Sequence, residues 1–158
     1  MRNGEEISEF KRLQSAIERG ERVVALDGLT STAAKAYVLA RLSAAGKTIV
    51  IVTDTNASLD AWETDLSFWT RKSEKSITCL PSFETDVYSG SSPHAETLER
   101  RALSLWQLSE GQPAFLLVSA RSLISRTVKP DELRALGATL KLDEDCSPDD
   151  LVERLAAS

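Results

Sequence analysis

Apolar residues recur along this chain with two periods, and their alternation predicts a series of helices and strands. Ile7, Phe10, Leu13 and Ile17 fall at helical spacing and stop before Gly20, which predicts a first helix closed by a glycine. "RVVALDG" (22–28) follows as a near-continuous apolar run rich in β-branched residues, the pattern of a buried strand. A second helix is predicted from about Ser31 to Ala45, with Gly46 at its end, and then a strand in "KTIVIVT". Leu59, Trp62, Leu66 and Trp69 mark one face of a third helix, and "SITCL" supplies a third strand. A helix from about Pro93 to Glu110, opened by Ser92 and Pro93, turns Leu98, Ala102, Leu105 and Trp106 inward, and "PAFLLVS" gives a fourth strand.

Strand and helix alternate, so the strands are expected to run parallel through right-handed crossovers, with helices on both faces of the sheet in an α/β three-layer fold. The tail differs in character. After "KPDELRALG" comes a strand-like "ATLKLDED", then "SPDDLVERLAAS", where Ser147 can cap, Pro148 suits the first helical position and Asp150 sits near the positive helix end. One strand and one helix cannot bury a core of their own. Residues 1–136 are therefore read as one α/β subdomain and 137–158 as the truncated beginning of a second domain.

Composition narrows the function classes. The 158 residues carry 19 Lys and Arg against 24 Asp and Glu, a net charge of −5 with the cations dispersed among acids. A general grip on nucleic acid needs clustered cations, so no strong direct DNA binding is expected. No segment approaches a membrane span and "MRNGEEISEFKRL" is too polar for a signal peptide, so a cytoplasmic location without membrane contact is expected. Cys79 and Cys146 stand far apart without metal-ligand spacing, which suits buried free thiols rather than zinc or a disulfide.

The stretch "ALDGLTSTAAKAYVLARL" has the layout of a phosphate loop: a strand-like run, a glycine turn, then a helix. Phosphate binding asks for G-x-x-x-x-G-K-[ST], whose glycines let backbone N–H groups close on phosphate oxygens while Lys reaches the outer phosphates. Counting from Gly28, the chain offers Ala33 for the second glycine, Ala34 for the lysine and Lys35 for the hydroxyl. Lys35 lies one residue late on a helix, about 100° round from the required direction. The layout is that of a P-loop NTPase of RecA-like topology with a degenerate loop, and neither cofactor nor metal is expected. Glu84 and Asp86 suggest an acid pair, but without a nucleophile or a histidine in place a solvated loop is the plainer reading. His94, the single histidine, reads as a surface residue or cap contact. Trp62, Trp69 and Trp106 fall on apolar faces and read as core. A stacking platform for nucleic acid would need aromatics interleaved with basic residues on an exposed surface, and no run of the sequence has that form. Arg100, Arg101, Arg121 and Arg126 are read either as a modest basic edge near the strand ends or as dispersed surface charges.

A resemblance sharpens this picture. "LPSFETDVYSGSSPH", a helix containing Arg100 and Arg101, and then "FLLVSARSLISRTVKP" look like the N-terminal region of bacterial transcription-repair coupling factor, itself similar to part of the excinuclease subunit UvrB. Pro81, Phe83, Glu84, Tyr88, Ser92, Pro93, Arg100 or Arg101, Arg126 and Pro130 match that family's pattern, while Val87 and Ser89 stand where it usually has proline and an acid. The resemblance covers most of the chain and is most specific from Phe83 to Pro130. It implies a non-catalytic, UvrB-like module acting in transcription-coupled nucleotide excision repair, part of the region that recruits UvrA and restrains the motor. The partners implied are UvrA, through an intact second domain, and the factor's other domains. On the same terms Phe83, Glu84, Tyr88, Ser92, Pro93, Arg100, Arg101 and Arg126 form the candidate partner or interdomain surface. Two other classes stay open, a small ATPase with an aberrant loop and a standalone protein-binding adaptor.

Overall fold

The computed structural model describes residues 2–43, 47–73, 75–85, 90, 92–137, 140, 142, 145 and 147–157. The first predicted helix forms as α1, Arg2–Glu18. It closes at the glycine: Gly20 takes a φ of +76°, its N–H bonds to the Ile17 carbonyl, and the Glu21 N–H bonds to the Ala16 carbonyl, the paired bonds of a Schellman cap.

Residues 22–28, expected as the first strand, form none. A strand needs a neighbour to hold it, and this run lies outside the sheet with Val23 86% exposed and Leu26 exposed as well, so β-branched propensity acts alone and fails. The chain turns at Gly28, φ +82°, and enters α2, Thr32–Leu42. Ser31 starts that helix by accepting a hydrogen bond from the Ala34 N–H at 3.2 Å.

Of the four strands expected up to Ser119, three form among the described residues: β1 (Ile49–Thr53), β2 (Ile77–Leu80) and β3 (Phe115–Ser119). Helix α3, Asn56–Thr70, joins β1 to β2, and α4, Ala95–Glu110, joins β2 to β3. Crossovers of that kind let all three strands run parallel. Their order is β1-β3-β2, with Ile49 and Ile77 both opposite Phe115. Ile51, Cys79, Phe115 and Leu117 then point to one face and pack against Ala36 of α2 and Leu59 and Leu66 of α3, with Trp62 partly buried beside them.

The other face is covered unevenly, by α4 at β2 and not at β1. Thr78, Leu80 and Val118 are buried and α4 packs against β2, whereas Val50 and Val52 of β1 are more than half exposed. Helix α4 is also rotated relative to its predicted face. Leu98 and Ala102 are exposed, Leu105 and Trp106 are half-buried, and Arg101 and Ser104 are the buried residues. The reason lies in the strand it covers. Phe115 N–H bonds to the Ser76 carbonyl, so by the alternation of a parallel ladder the Cys79 and Pro81 carbonyls point away from β3. A polar helix face satisfies them: the Ser104 hydroxyl donates to Cys79 O, and Arg101 Nη1 donates to Pro81 O at 2.7 Å. The helix starts at Ala95 with His94 as its cap residue, two positions later than expected, and the His94 side chain makes no capping bond.

After a short 3-10 turn, Ala120–Leu123, come α5, Pro130–Leu136, and α6, Pro148–Ala157. The α5 helix packs on α4, and Gly137 at its end lies against the Trp106 ring so closely that a Cβ there would fall 2.0 Å from it. The predicted strand "ATLKLDED" lies mostly outside the described residues, and Leu140, Leu142 and Asp145 within it are not in a strand. Ser147 caps α6 by accepting from Asp150 N–H at 3.5 Å.

Candidate functional site

The C-terminal ends of β1 and β2 and the first turn of α3 are joined by side-chain hydrogen bonds at the base of the loop that carries Phe83 and Glu84. Thr55 caps α3, accepting from the Ser58 N–H at 3.2 Å. The Asp54 carboxylate accepts from the Ser58 hydroxyl at 2.8 Å and the Thr55 N–H at 2.9 Å. Those hydrogen bonds, that of Ser58 foremost, hold its carboxyl below the usual aspartate value.

From this helix start Asn56 reaches the loop after β2. Its Nδ2 donates to Ser82 O at 2.8 Å and its Oδ1 accepts from Ser82 N–H at 2.9 Å, a two-bond clasp of the kind adjacent strands make. The Asn56 backbone N–H donates to Glu84 Oε1 at 3.1 Å. Glu84 holds a left-handed φ of +52°, which costs a residue with a side chain about 1–2 kcal/mol. A carboxylate on the first turn of a helix, where the dipole favours negative charge, offsets part of that cost.

Helix α4 holds the same loop from the other side. Arg101 is only 3% exposed, and besides bonding Pro81 O it lies over the Phe83 ring, 4.7 Å from its centroid. Its Nη2 is buried without a hydrogen-bond partner, and burial lowers its pKa from the usual arginine value. Arg100 turns elsewhere, bonding Asp60 at 2.7 Å and Glu63 at 2.6 Å on α3. Burial alone would lower its pKa, but the Asp60 hydrogen bond and the Glu63 charge outweigh it and raise the value. Burial pushes the nearby Cys79 thiol up to about 12.

The predicted surface residues therefore separate. Phe83, Glu84 and Arg101 meet at one loop; Arg100 belongs to an ion-pair cluster; Ser92 is exposed and Pro93 half-buried before α4; Arg126 is exposed beyond the 3-10 turn. Tyr88 and Asp86 lie outside the described residues. A basic edge of four arginines is not what forms, since Arg101 is buried and Arg100 is neutralised. At the glycine turn, Ala33 and Ala34 occupy the first turn of α2 and Lys35 is exposed on its side. Sequence reasoning missed Asn56 and Ser82, the pair that fixes the loop; the run of capping residues in "TDTNAS" after a predicted strand was the available signal. The arrangement clamps the loop after β2 between two helices. Among the described residues no three His, Cys, Asp or Glu could hold a metal ion.

Compared with curated proteins, the chain is similar to the transcription-repair-coupling factor of Myxococcus xanthus, 31% identical over 153 residues, which is 92% of this chain and 12% of that protein. The resemblance drawn from the motifs is thus borne out, and the match is consistent with an N-terminal region of such a factor. No family model matches the chain, and no solved structure matches it.

Proposed function

Starting from a chain homologous to part of a transcription-repair-coupling factor, we propose that it is a non-catalytic module of transcription-coupled nucleotide excision repair. In this reading residues 1–136 are the first subdomain of a UvrB-like region and 137–158 open the second. The chain supports a surface that recruits UvrA and restrains a motor. The observation that carries the reading is identity spread over 92% of the chain. The clamped loop is compatible with it, because Phe83 lies under Arg101 of α4 and Glu84 accepts from the Asn56 backbone N–H of α3, which holds a family-matching pair in a fixed place. The parallel sheet and the Gly28 turn into α2 fit a P-loop-like, RecA-like ancestor, and Ala33, Ala34 and Lys35 in place of the phosphate-binding residues fit the loss of its chemistry.

The test is binding to purified UvrA, measured for this chain beside a version extended through the second domain. Binding by the extended version alone is the expected result, and no binding by either sinks the proposal. A titration with magnesium and ATP covers the non-catalytic part: micromolar binding abolished by Lys35→Ala would establish the ATPase reading instead.

A further inference from the structure

Five side chains from three helices form one connected cluster on the surface. Arg41 of α2 sets its guanidinium 4.7 Å from the Phe10 ring centroid of α1 and 5.7 Å from that of Tyr37, and its Nη1 donates to the Tyr37 hydroxyl at 3.0 Å. Tyr37 meets Trp69 of α3 edge to face at 4.9 Å, and Trp69 meets Phe68 at 5.0 Å. Trp69 Nε1 donates to the Ala33 carbonyl at 3.2 Å, which fixes the indole against α2. Trp69, expected in the core, is instead exposed along with Tyr37, and Phe68 is 65% exposed.

Charge gathers at the same place. Arg71 and Lys72, both exposed, follow directly on α3, one turn from Phe68 and Trp69. The Lys75 amine sits on the Ala40 and Ser43 carbonyls at the end of α2. With Arg41 that makes four cations, against Asp65 one turn earlier on α3, in a chain whose net charge is −5. Soluble domains seldom leave three adjacent aromatic side chains in water without a ligand for them.

We propose that this surface is a stacking platform for single-stranded nucleic acid. Both halves of its chemistry are used by that ligand: unpaired bases stack on aromatic rings whatever their identity, and phosphates pair with the surrounding cations. An acidic peptide would use the cations and leave the rings idle, and a duplex keeps its base faces hidden. The sequence concealed the platform because its rings come from positions 10, 37, 68 and 69 and its cations from 41, 71, 72 and 75.

The test is fluorescence anisotropy of a labelled oligo-dT with this chain at low salt, alongside tryptophan emission. Micromolar binding with quenched emission is expected, weakened roughly tenfold by Phe68→Ala, as loss of one stacked base implies. Lys72→Glu should weaken binding and flatten its salt dependence. Circular dichroism of both variants should match the parent, since both side chains are exposed, and Trp69→Phe should bind while losing most of the quenching. The proposal is overturned if oligo-dT does not bind at low salt, if both charge and ring variants bind like the parent, or if duplex binds as tightly as the single strand. Self-association of the chain that Phe68→Ala abolishes, with oligo-dT binding unmoved, would assign the patch to a protein contact and overturn it equally.

Discussion

Cys79 shows how burial decides reactivity. Its thiol ionises near 12 instead of 9.0, chiefly because the core around it disfavours the thiolate. In a Cys146→Ser background a thiol reagent at pH 8 should therefore label Cys79 of the folded chain only as fast as it opens, and label it at once in denaturant. A raised value lends stability that is whole below 9.0 and is lost as the pH climbs towards 12, so stability should fall more steeply above pH 9 in the parent than in Cys79→Ser, which has no thiol to ionise. Asp54 works in the opposite sense. Its lowered carboxyl lends stability above the ordinary value of 3.8 that is lost as the pH falls through the folded value. Removing its first cause with Ser58→Ala should bring the carboxyl back towards 3.8, followed by NMR titration. Asn56→Ala should cost about 1–3 kcal/mol in urea unfolding, because it leaves the Ser82 backbone groups without their partners.

At the scale of elements, α4 is the informative case. Ser104→Ala uncaps the outward Cys79 carbonyl and should destabilise by about 1–3 kcal/mol. Gly137→Ala drives a methyl into the Trp106 ring and should cost about 1–3 kcal/mol, read in the same urea titration. The positions of α1, α2, α3 and three strands were legible from periodicity and from Gly20 and Ser31, because local caps and apolar spacing decide them. Two features were not legible. Val23 and Val24 carry every local mark of a strand, but pairing is a property of the neighbour, which a local pattern does not contain. Likewise Leu98, Ala102, Leu105 and Trp106 gave α4 an apolar face of which Leu105 and Trp106 are half-buried, and the outward carbonyls of a distant strand turned Arg101 and Ser104 inward in place of Leu98 and Ala102. In the candidate site, motif matching found Phe83, Glu84 and Arg101 but not Asn56, whose role depends on a contact 26 residues away.

Across the whole molecule the two sides of the sheet are finished differently. At β2 the outward carbonyls are covered by α4, while among the described residues no strand pairs with the outer side of β1, and Val50 and Val52 lie bare beside it. Val52→Lys should reduce any self-association in sedimentation velocity without lowering stability, since the side chain faces solvent. A chain with one open side and one closed side also has a limit set on its assembly. When two copies join through β1, each uses up that edge, so growth by this contact ends in a closed pair and does not propagate into a fibre.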